Sequence, residues 1–195
     1  VSITVSFQNG QSYTAKLVGA EQSNDVAVLK IDASGLKPVI LGDSDQLAVG
    51  QTVMAIGNPL GELTYSLTDG LISALDRLIT TSMGTMNMFQ TNCVINSGNS
   101  GGPVFNSYGE VVGIATAKYG GSTTSGTTLE GLGFAVPIND VKTILSDLIQ
   151  HGYVTGKPYM GIQMQSVPQN AQAYGVSAGA YVTGVASGSA AEKAG

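Results

Sequence analysis

The spacing of apolar residues follows the alternation of β-strands over most of the chain. Residues 1–7 read V-S-I-T-V-S-F, and the pair Asn9-Gly10 that follows is the one that type I′ hairpin turns prefer. Short apolar runs between polar or Gly-rich turns predict further strands at 13–18, 26–31, 53–56, 64–74, 89–95, 103–105, 111–117 and 132–136. Strands at such short intervals, with no helix between them, favour antiparallel barrels over a parallel sheet.

One later segment changes to the spacing of an amphipathic helix. Asn139 can cap its start and Gly152 can end it. Its apolar positions lie on one predicted stripe, formed by Val141, Ile144, Leu145, Leu148 and Ile149. The segment predicts a single helix that braces the end of a β-rich domain.

Two segments follow neither the alternation of a strand nor the apolar spacing of a helix. Residues 76–87 are polar and rich in Thr, Met and Gly, and they predict a mobile loop. Residues 120–128 are low in complexity and predict a second surface loop.

Composition supports an all-β chain and excludes several classes of function. Hydrophobic residues make up 43% of the chain and charged residues 11%, with 27 glycines. The net charge is -5 and the eight Lys and Arg are scattered, so we expect no nucleic-acid partner. The single cysteine, Cys93, has no Cys or His cluster around it, so we expect a small buried thiol and neither a metal site nor a cofactor.

The segment 96–103, N-S-G-N-S-G-G-P, carries the candidate chemistry. Glycines around one serine allow a tight turn that points main-chain N–H groups at one spot, as an oxyanion hole beside a nucleophile requires. Ser100 is the predicted nucleophile, and Gly98, Asn99 and Ser100 form the predicted oxyanion hole, with the N–H groups of Gly98 and Ser100 as donors. The alternative from this segment alone is a Gly-rich hairpin turn without chemistry.

The residues after this segment carry a family resemblance. Residues 104–117, V-F-N-S-Y-G-E-V-V-G-I-A-T-A, and 131–138, G-L-G-F-A-V-P-I, together resemble the HtrA/Deg serine proteases. The similarity continues in 24–31 and 50–61 and covers essentially the whole chain. It implies an all-β, chymotrypsin-like double Greek-key β-barrel with a C-terminal helix. Residues 1–152 would be the protease domain, 153–158 a linker and 159–195 the beginning of a PDZ domain.

The resemblance also implies roles for residues outside the serine segment. It makes Asp25 the aspartate of the catalytic triad, although without the family Asp25 is a turn residue before a strand. The strand that pairs with substrate would be formed by Ile114, Ala115, Thr116 and Ala117. The carboxylate-binding loop of the PDZ domain would be formed by Tyr159, Met160, Gly161 and Ile162, which otherwise read as a strand start.

The chain departs from the family pattern at three places. The family's catalytic histidine precedes the strand that residues 1–7 resemble, so we expect it upstream of residue 1. The one histidine, His151, is predicted to have a structural or solvated role at the end of the helix, so this piece alone should be almost inactive. Asn92-Cys93 stands where the family usually has Asp-Ala, and Ser97 where it usually has Pro or Arg.

The function that the resemblance implies is a serine endopeptidase of protein quality control. It would cut unfolded or misfolded polypeptides by Ser-His-Asp acyl transfer outside the cytoplasm. C-terminal peptides would be further partners if the PDZ domain is complete, and the parent protein could be a homo-trimer. The alternative is a peptide-binding or chaperone-like relic that keeps the protease fold without hydrolysis.

Overall fold

The computed structural model describes residues 2–58, 66–81, 84–96, 98–118, 132–168, 170 and 174–195. The chain divides into two compact units, Val1–Val154 and Thr155–Gly195. The boundary falls inside the predicted linker, residues 153–158. No helix among the described residues is long and apolar enough to cross a membrane.

The first unit combines a three-stranded antiparallel sheet with a closed six-stranded barrel. The sheet has the order β1-β2-β3, with β1 (Ile3–Ser6), β2 (Ser12–Glu21) and β3 (Val26–Ile31). The barrel strands are β4 (Thr52–Gly57), β5 (Ser66–Thr81), β6 (Gly84–Thr91), β7 (Pro103–Asn106), β8 (Val111–Lys118) and β9 (Gly133–Pro137). They close in the order β4-β5-β6-β9-β8-β7, and β7 pairs again with β4. The predicted antiparallel β architecture is therefore confirmed.

The barrel interior is filled by apolar side chains that the alternation of its strands points inward. Phe89 and Ile72 are each 1% exposed, and Val53 and Val104 are fully buried. Gly113 makes room for the ring of Phe89, because a Cβ at this position would overlap that ring. The barrel thus has a packed core and not a channel.

The first hairpin turn differs from the predicted type I′ turn. The Gly10 N–H donates to Phe7 O at 3.0 Å and the Phe7 N–H donates to Gln11 O at 2.8 Å. Gly10 has a φ of 83°, whereas Asn9 is not left-handed. A three-residue loop with one left-handed glycine replaces the two-residue loop, which would need a positive φ at both central residues.

Residues 76–87, predicted as a mobile loop, instead form most of a β-hairpin. Strand β5 runs on to Thr81 and pairs with β6, with Thr80 opposite Thr85. The hydroxyls of these two threonines lie 3.0 Å apart. Met86 and Met88 are buried against Phe134, so the hairpin has an apolar face of its own. The prediction failed because Asp76 and two register shifts in β5 interrupt the alternation.

Helix α1 (Ile138–His151) packs between the sheet and the barrel. Val141, Ile144 and Leu148 lie in one apolar cluster with Val26 of β3 and Val136 of β9. The helix thereby joins the strand that follows Asp25 to the barrel.

The helix ends as predicted, but its start and one position of its stripe differ. Gly152 adopts a left-handed φ of 79° and donates its N–H to Leu148 O, so the predicted end is confirmed. Asn139 is not the cap, because the helix begins at Ile138 after Pro137. The Asn139 N–H donates to Ser44 Oγ at 3.1 Å, and the Asn139 Nδ2 donates to Asp43 Oδ1 at 2.6 Å. Ile149 is 57% exposed and lies outside the buried stripe.

The described part of the second unit includes a short antiparallel strand pair and a short helix near residue 195. Strands β10 (Ile162–Ser166) and β11 (Ala180–Val185) pair with each other. Helix α2 (Ala190–Ala194) is capped by Ser189, whose Oγ accepts from the Glu192 N–H at 3.2 Å. In the residues described, no side chain of the three apolar clusters belongs to this unit.

Candidate active site

The predicted nucleophile lies on a tight loop between β6 and β7. The Asn99 N–H donates to Asn96 O at 3.2 Å, and the Gly102 N–H donates to Asn99 O at 2.9 Å. These two bonds place Ser100 at the outer bend of the loop, where it is exposed to solvent. A serine hydroxyl in this position is accessible to a polypeptide substrate.

The main-chain N–H groups of Gly98 and Ser100 are the predicted oxyanion donors of this loop. Gly98 has a φ of 136°, which a residue with a Cβ rarely adopts. Among the described residues, no group accepts a hydrogen bond from the N–H of Gly98 or of Ser100. The Asn99 N–H, which lies between these two candidate donors, is bonded to Asn96 O.

Two barrel strands hold the loop. On the β8 side, the Gly101 N–H donates to Ala115 O at 2.6 Å and the Ala115 N–H donates to Gly102 O at 2.9 Å. On the β4 side, the Asn58 N–H donates to Gly98 O at 2.8 Å. Gly57, at the end of β4, has no room for a side chain because a Cβ there would overlap Asn99. The backbone around Ser100 is thus fixed by the barrel on both sides.

Asp25 ends the turn between β2 and β3. It adopts a left-handed conformation with a φ of 54°, and its N–H donates to Gln22 O at 3.2 Å. Glu21 caps the preceding 3-10 turn, Gln22–Asn24, by accepting from the Ser23 N–H. The hydroxyl of Thr116 on β8 donates to Asp25 Oδ2. This bond ties the carboxylate to the barrel.

Strand β8 relates the two predicted triad residues to each other. Ala115 binds the loop that carries Ser100, and the next residue, Thr116, binds Asp25. The serine loop and the aspartate are therefore attached to consecutive residues of one strand. Sequence reasoning placed Thr116 in the substrate strand and missed its bond to Asp25, for which no local pattern gives a signal.

Of the four residues predicted to pair with substrate, Ile114 and Ala115 already use their main-chain groups within the barrel. Ile114 is paired on both sides, with Pro103 of β7 and Val136 of β9. The main chain of Ala115 is bonded to Gly101 and Gly102. Neither residue offers main-chain groups to an added strand. Thr116 and Ala117 extend beyond the start of β7, and the side chain of Ala117 lies outside the described residues.

Two further side chains with possible reactivity are an exposed histidine and a buried cysteine. His151 is exposed at the end of α1, with its ring centroid 6.1 Å from that of Tyr153. Cys93 is 1% exposed, and this burial raises the pKa of its thiol, so the predicted packed thiol is confirmed. The described part of the chain contains no group of three His, Cys, Asp or Glu residues that could hold a metal.

Of the two departures from the family pattern near the serine loop, Asn92-Cys93 lies among the described residues and Ser97 does not. Asn92 Oδ1 accepts from the Leu71 N–H at 2.6 Å, a bond that either an amide or a carboxylate oxygen can make. Ser97 and the predicted loop at 120–128 lie outside the described residues.

The predicted carboxylate-binding loop belongs to the second unit. Tyr159, Met160 and Gly161 precede β10, and Ile162 is its first residue. Met160 O accepts from the Ala191 N–H and Gly161 O accepts from the Ala186 N–H. Gly161 has a φ of 79°. These contacts fix the backbone before β10.

Comparison with known proteins supports the resemblance. The family described as a trypsin-like peptidase domain matches residues 1–114. "Serine protease Do-like HtrB" and "Serine protease Do-like HtrA" of Bacillus subtilis are 43% and 44% identical over 99% and 100% of this chain. A "Probable periplasmic serine endoprotease DegP-like" of Chlamydia trachomatis is 42% identical over 99% of it and is covered over 38% of its own length.

A solved structure extends the similarity to the fold. "HtrA-type protease AlgW with decapeptide" matches all of this chain with a TM-score of 0.72 and 34% identity, over 59% of its own chain. The present chain spans 44% and 45% of the two Bacillus relatives. The predicted chymotrypsin-like fold class is confirmed by this match, and the chain belongs to the trypsin-like peptidase family, as a homologue of the HtrA/Deg serine proteases.

Proposed function

We propose that the parent protein is a serine endopeptidase in which Ser100 is the nucleophile and Asp25 the triad aspartate. The observation that carries this proposal is the arrangement of β8, which holds the Ser100 loop through Ala115 and Asp25 through Thr116. The histidine between them would come from the chain before residue 1. The homology to HtrA/Deg proteases supports the same assignment.

The chemistry would follow the geometry of the loop. Ser100 Oγ attacks the carbonyl carbon of the scissile peptide and passes its proton to the histidine, whose other ring nitrogen donates to Asp25. The negative charge that forms on the substrate oxygen is stabilised by the N–H groups of Gly98 and Ser100. The histidine then gives the proton to the leaving amine, and water hydrolyses the acyl-enzyme by the same route.

The substrates we propose are unfolded or misfolded polypeptides outside the cytoplasm. An extended chain can add to the part of β8 beyond β7, at Thr116 and Ala117, through main-chain bonds. The name of the solved relative includes a bound decapeptide, and the Chlamydia relative is named as periplasmic. In a complete second domain, we propose that C-terminal carboxylates bind the loop formed by Tyr159, Met160, Gly161 and Ile162. We also propose a homo-trimer for the parent protein, which sedimentation of the parent would test.

The experiment compares the full-length parent with its Ser100→Ala variant. The parent should cleave casein and react with a fluorophosphonate at Ser100, and the variant should do neither. Loss of the nucleophile lowers kcat by roughly 10⁶-fold in a serine protease of this kind of mechanism. Equal casein cleavage by the variant would refute the proposal.

The alternative, a peptide-binding relic, predicts a different result from the same samples. It expects denatured casein to bind with similar affinity to parent and variant, with no cleavage by either and no fluorophosphonate adduct. A residue other than His at the upstream triad position would also favour it.

A further inference from the structure

The Asn99 side chain is almost completely buried beside the nucleophile and bonds only to the main chain. It is 4% exposed. Its Nδ2 donates to Val94 O at 2.7 Å, and its Oδ1 accepts from the Asn96 N–H at 2.8 Å. The amide therefore links two points of the segment that leads into the serine loop.

The main chain of Asn99 adds two more links. Its N–H donates to Asn96 O, and its carbonyl accepts from the Gly102 N–H. Side chain and main chain together connect Asn99 to residues on both sides of Gly98 and Ser100. These are the two residues whose N–H groups are the candidate oxyanion donors.

Gly98 needs such support because glycine has little conformational preference of its own. Its φ of 136° must be held by neighbouring contacts. The Asn58 N–H fixes Gly98 O on one side of the residue. The Asn99 side chain fixes the Asn96 N–H and Val94 O on the other side.

Resting on the proposed function, we propose that Asn99 is a positioning residue whose side-chain amide holds the oxyanion hole in its active geometry. Asparagine fits this role because one short side chain carries both a donor and an acceptor. Aspartate keeps the acceptor, loses the donor and adds a negative charge beside the developing oxyanion. Alanine loses both bonds.

The test uses the full-length parent, with Asn99→Ala and Asn99→Asp as variants and Asn106→Ala as the matched control. Asn106 makes comparable bonds in the same barrel: its Oδ1 accepts from the N–H groups of Tyr108 and Glu110, and its Nδ2 donates to Glu110. Among the contacts described, none joins it to the serine loop. Asn106→Ala measures the effect on the fold of losing a partly buried amide with main-chain bonds.

Four quantities separate positioning from folding. They are kcat and KM for a peptide substrate, the Ki of a peptide aldehyde, and the Kd of the same peptide in a Ser100→Ala background. The aldehyde forms a tetrahedral adduct with the serine and so depends on the oxyanion hole, whereas the peptide complex does not. We expect both Asn99 variants to lower kcat by about 10- to 100-fold, less than or near the 10²- to 10³-fold effect of removing a whole donor.

The Ki of the aldehyde should rise by the same factor, while KM and the peptide Kd change by less than about threefold. Asn106→Ala should lower the Tm and leave kcat unchanged. Gly57→Ala gives an independent check, because its Cβ would displace Asn99 while the amide stays present. It should show the same split between kcat and peptide Kd.

Each outcome decides the proposal. Unchanged kcat in Asn99→Ala overturns it, and so does a parallel loss of kcat, peptide affinity and Tm that Asn106→Ala reproduces. Failure of the proposed function is recognised separately, since the unmodified parent would then show no Ser100-dependent turnover. In that case the role assigned to Asn99 falls with it.

Discussion

The bond from Thr116 to Asp25 makes one hydroxyl important for the orientation of the carboxylate that we propose for the triad. Thr116 bonds this carboxylate from the barrel, 91 residues further along the chain. Hydrogen bonds to charged groups contribute about 1.5–3 kcal/mol.

We therefore expect Thr116→Val in the parent protein to lower kcat/KM by about tenfold, the lower end of that range. Thr116→Ser keeps the hydroxyl and should retain most of the activity. Steady-state kinetics with one peptide substrate measure both variants. Equal activity of the valine and serine variants would show that Asp25 is held by other groups.

The role of single residues was only partly predictable from the sequence. The glycines around Ser100 indicated the nucleophile and its oxyanion hole, because loop geometry depends strongly on glycine. The bonds of Asn99 and Thr116 were not predictable, since they join atoms whose proximity depends on the folded barrel. Asn99 was placed in the predicted oxyanion hole, but the two bonds of its buried side chain were not predicted.

At the start of α1, polar side chains join the helix to residues 42–44. Asn139 binds Asp43 and Ser44, and Lys142 Nζ donates to Gly42 O at 2.5 Å. The hydrogen bond from Asn139, followed by that from the Asp45 N–H, lowers the pKa of Asp43 below its ordinary 3.8. Burial, with smaller contributions from Asp45 and Asp76, raises the pKa of Asp140.

These opposite shifts predict opposite pH effects on stability. Asp43 stabilises the fold above pH 3.8, and this contribution is lost as the pH falls through its lowered folded-state pKa. The raised pKa of Asp140 means that its ionisation is less favourable in the folded state than in the unfolded state, so it destabilises the fold as the pH rises above 3.8. We expect Asp43→Asn to lower the Tm at pH 7 and Asp140→Asn to raise it.

Thermal unfolding between pH 3 and pH 8 measures this prediction. Each variant's difference from the unchanged protein should shrink toward the acid end of the range. Shifts of the same sign in both variants at pH 7 would contradict the assignment.

The elements were predicted well where one face is buried and poorly where irregularities interrupt the pattern. Strand β3 has the predicted bounds, because a short, mainly apolar run follows a polar turn. The β5–β6 hairpin was missed because the left-handed Asp76 and the register shifts break its period. The predicted Asn139 cap failed because α1 begins at Ile138 and the Asn139 side chain instead donates to Asp43, the residue that caps the 3-10 helix Ser44–Gln46.

The closed barrel should unfold as one cooperative body, because each of its strands is paired on both sides. Val104 on β7 is fully buried and lies opposite Ala55 of β4, where the barrel closes. Val104→Ala should lower the free energy of unfolding by about 2–3 kcal/mol through lost burial and a residual cavity.

Hydrogen exchange should then accelerate by a common factor in β5, β6, β8 and β9, and not in β7 alone. Val39→Ala is the control, because Val39 is 57% exposed and should change stability by less than about 0.5 kcal/mol. Exchange confined to β7 would indicate local opening and contradict a cooperative barrel.

At the scale of the whole molecule, the sequence predicted the fold class but not the order of the strands in the barrel. Turn spacing and glycine content indicated antiparallel β structure, and the family resemblance supplied the barrel architecture. The strand order β4-β5-β6-β9-β8-β7 depends on pairings between distant segments, such as β6 with β9. Local periodicity carries no information about such pairings.

The attachment of the serine loop and the aspartate to neighbouring residues of β8 has a mechanical consequence. Because Ala115 holds the Ser100 loop and Thr116 holds Asp25, a displacement of this part of β8 would move both groups at once.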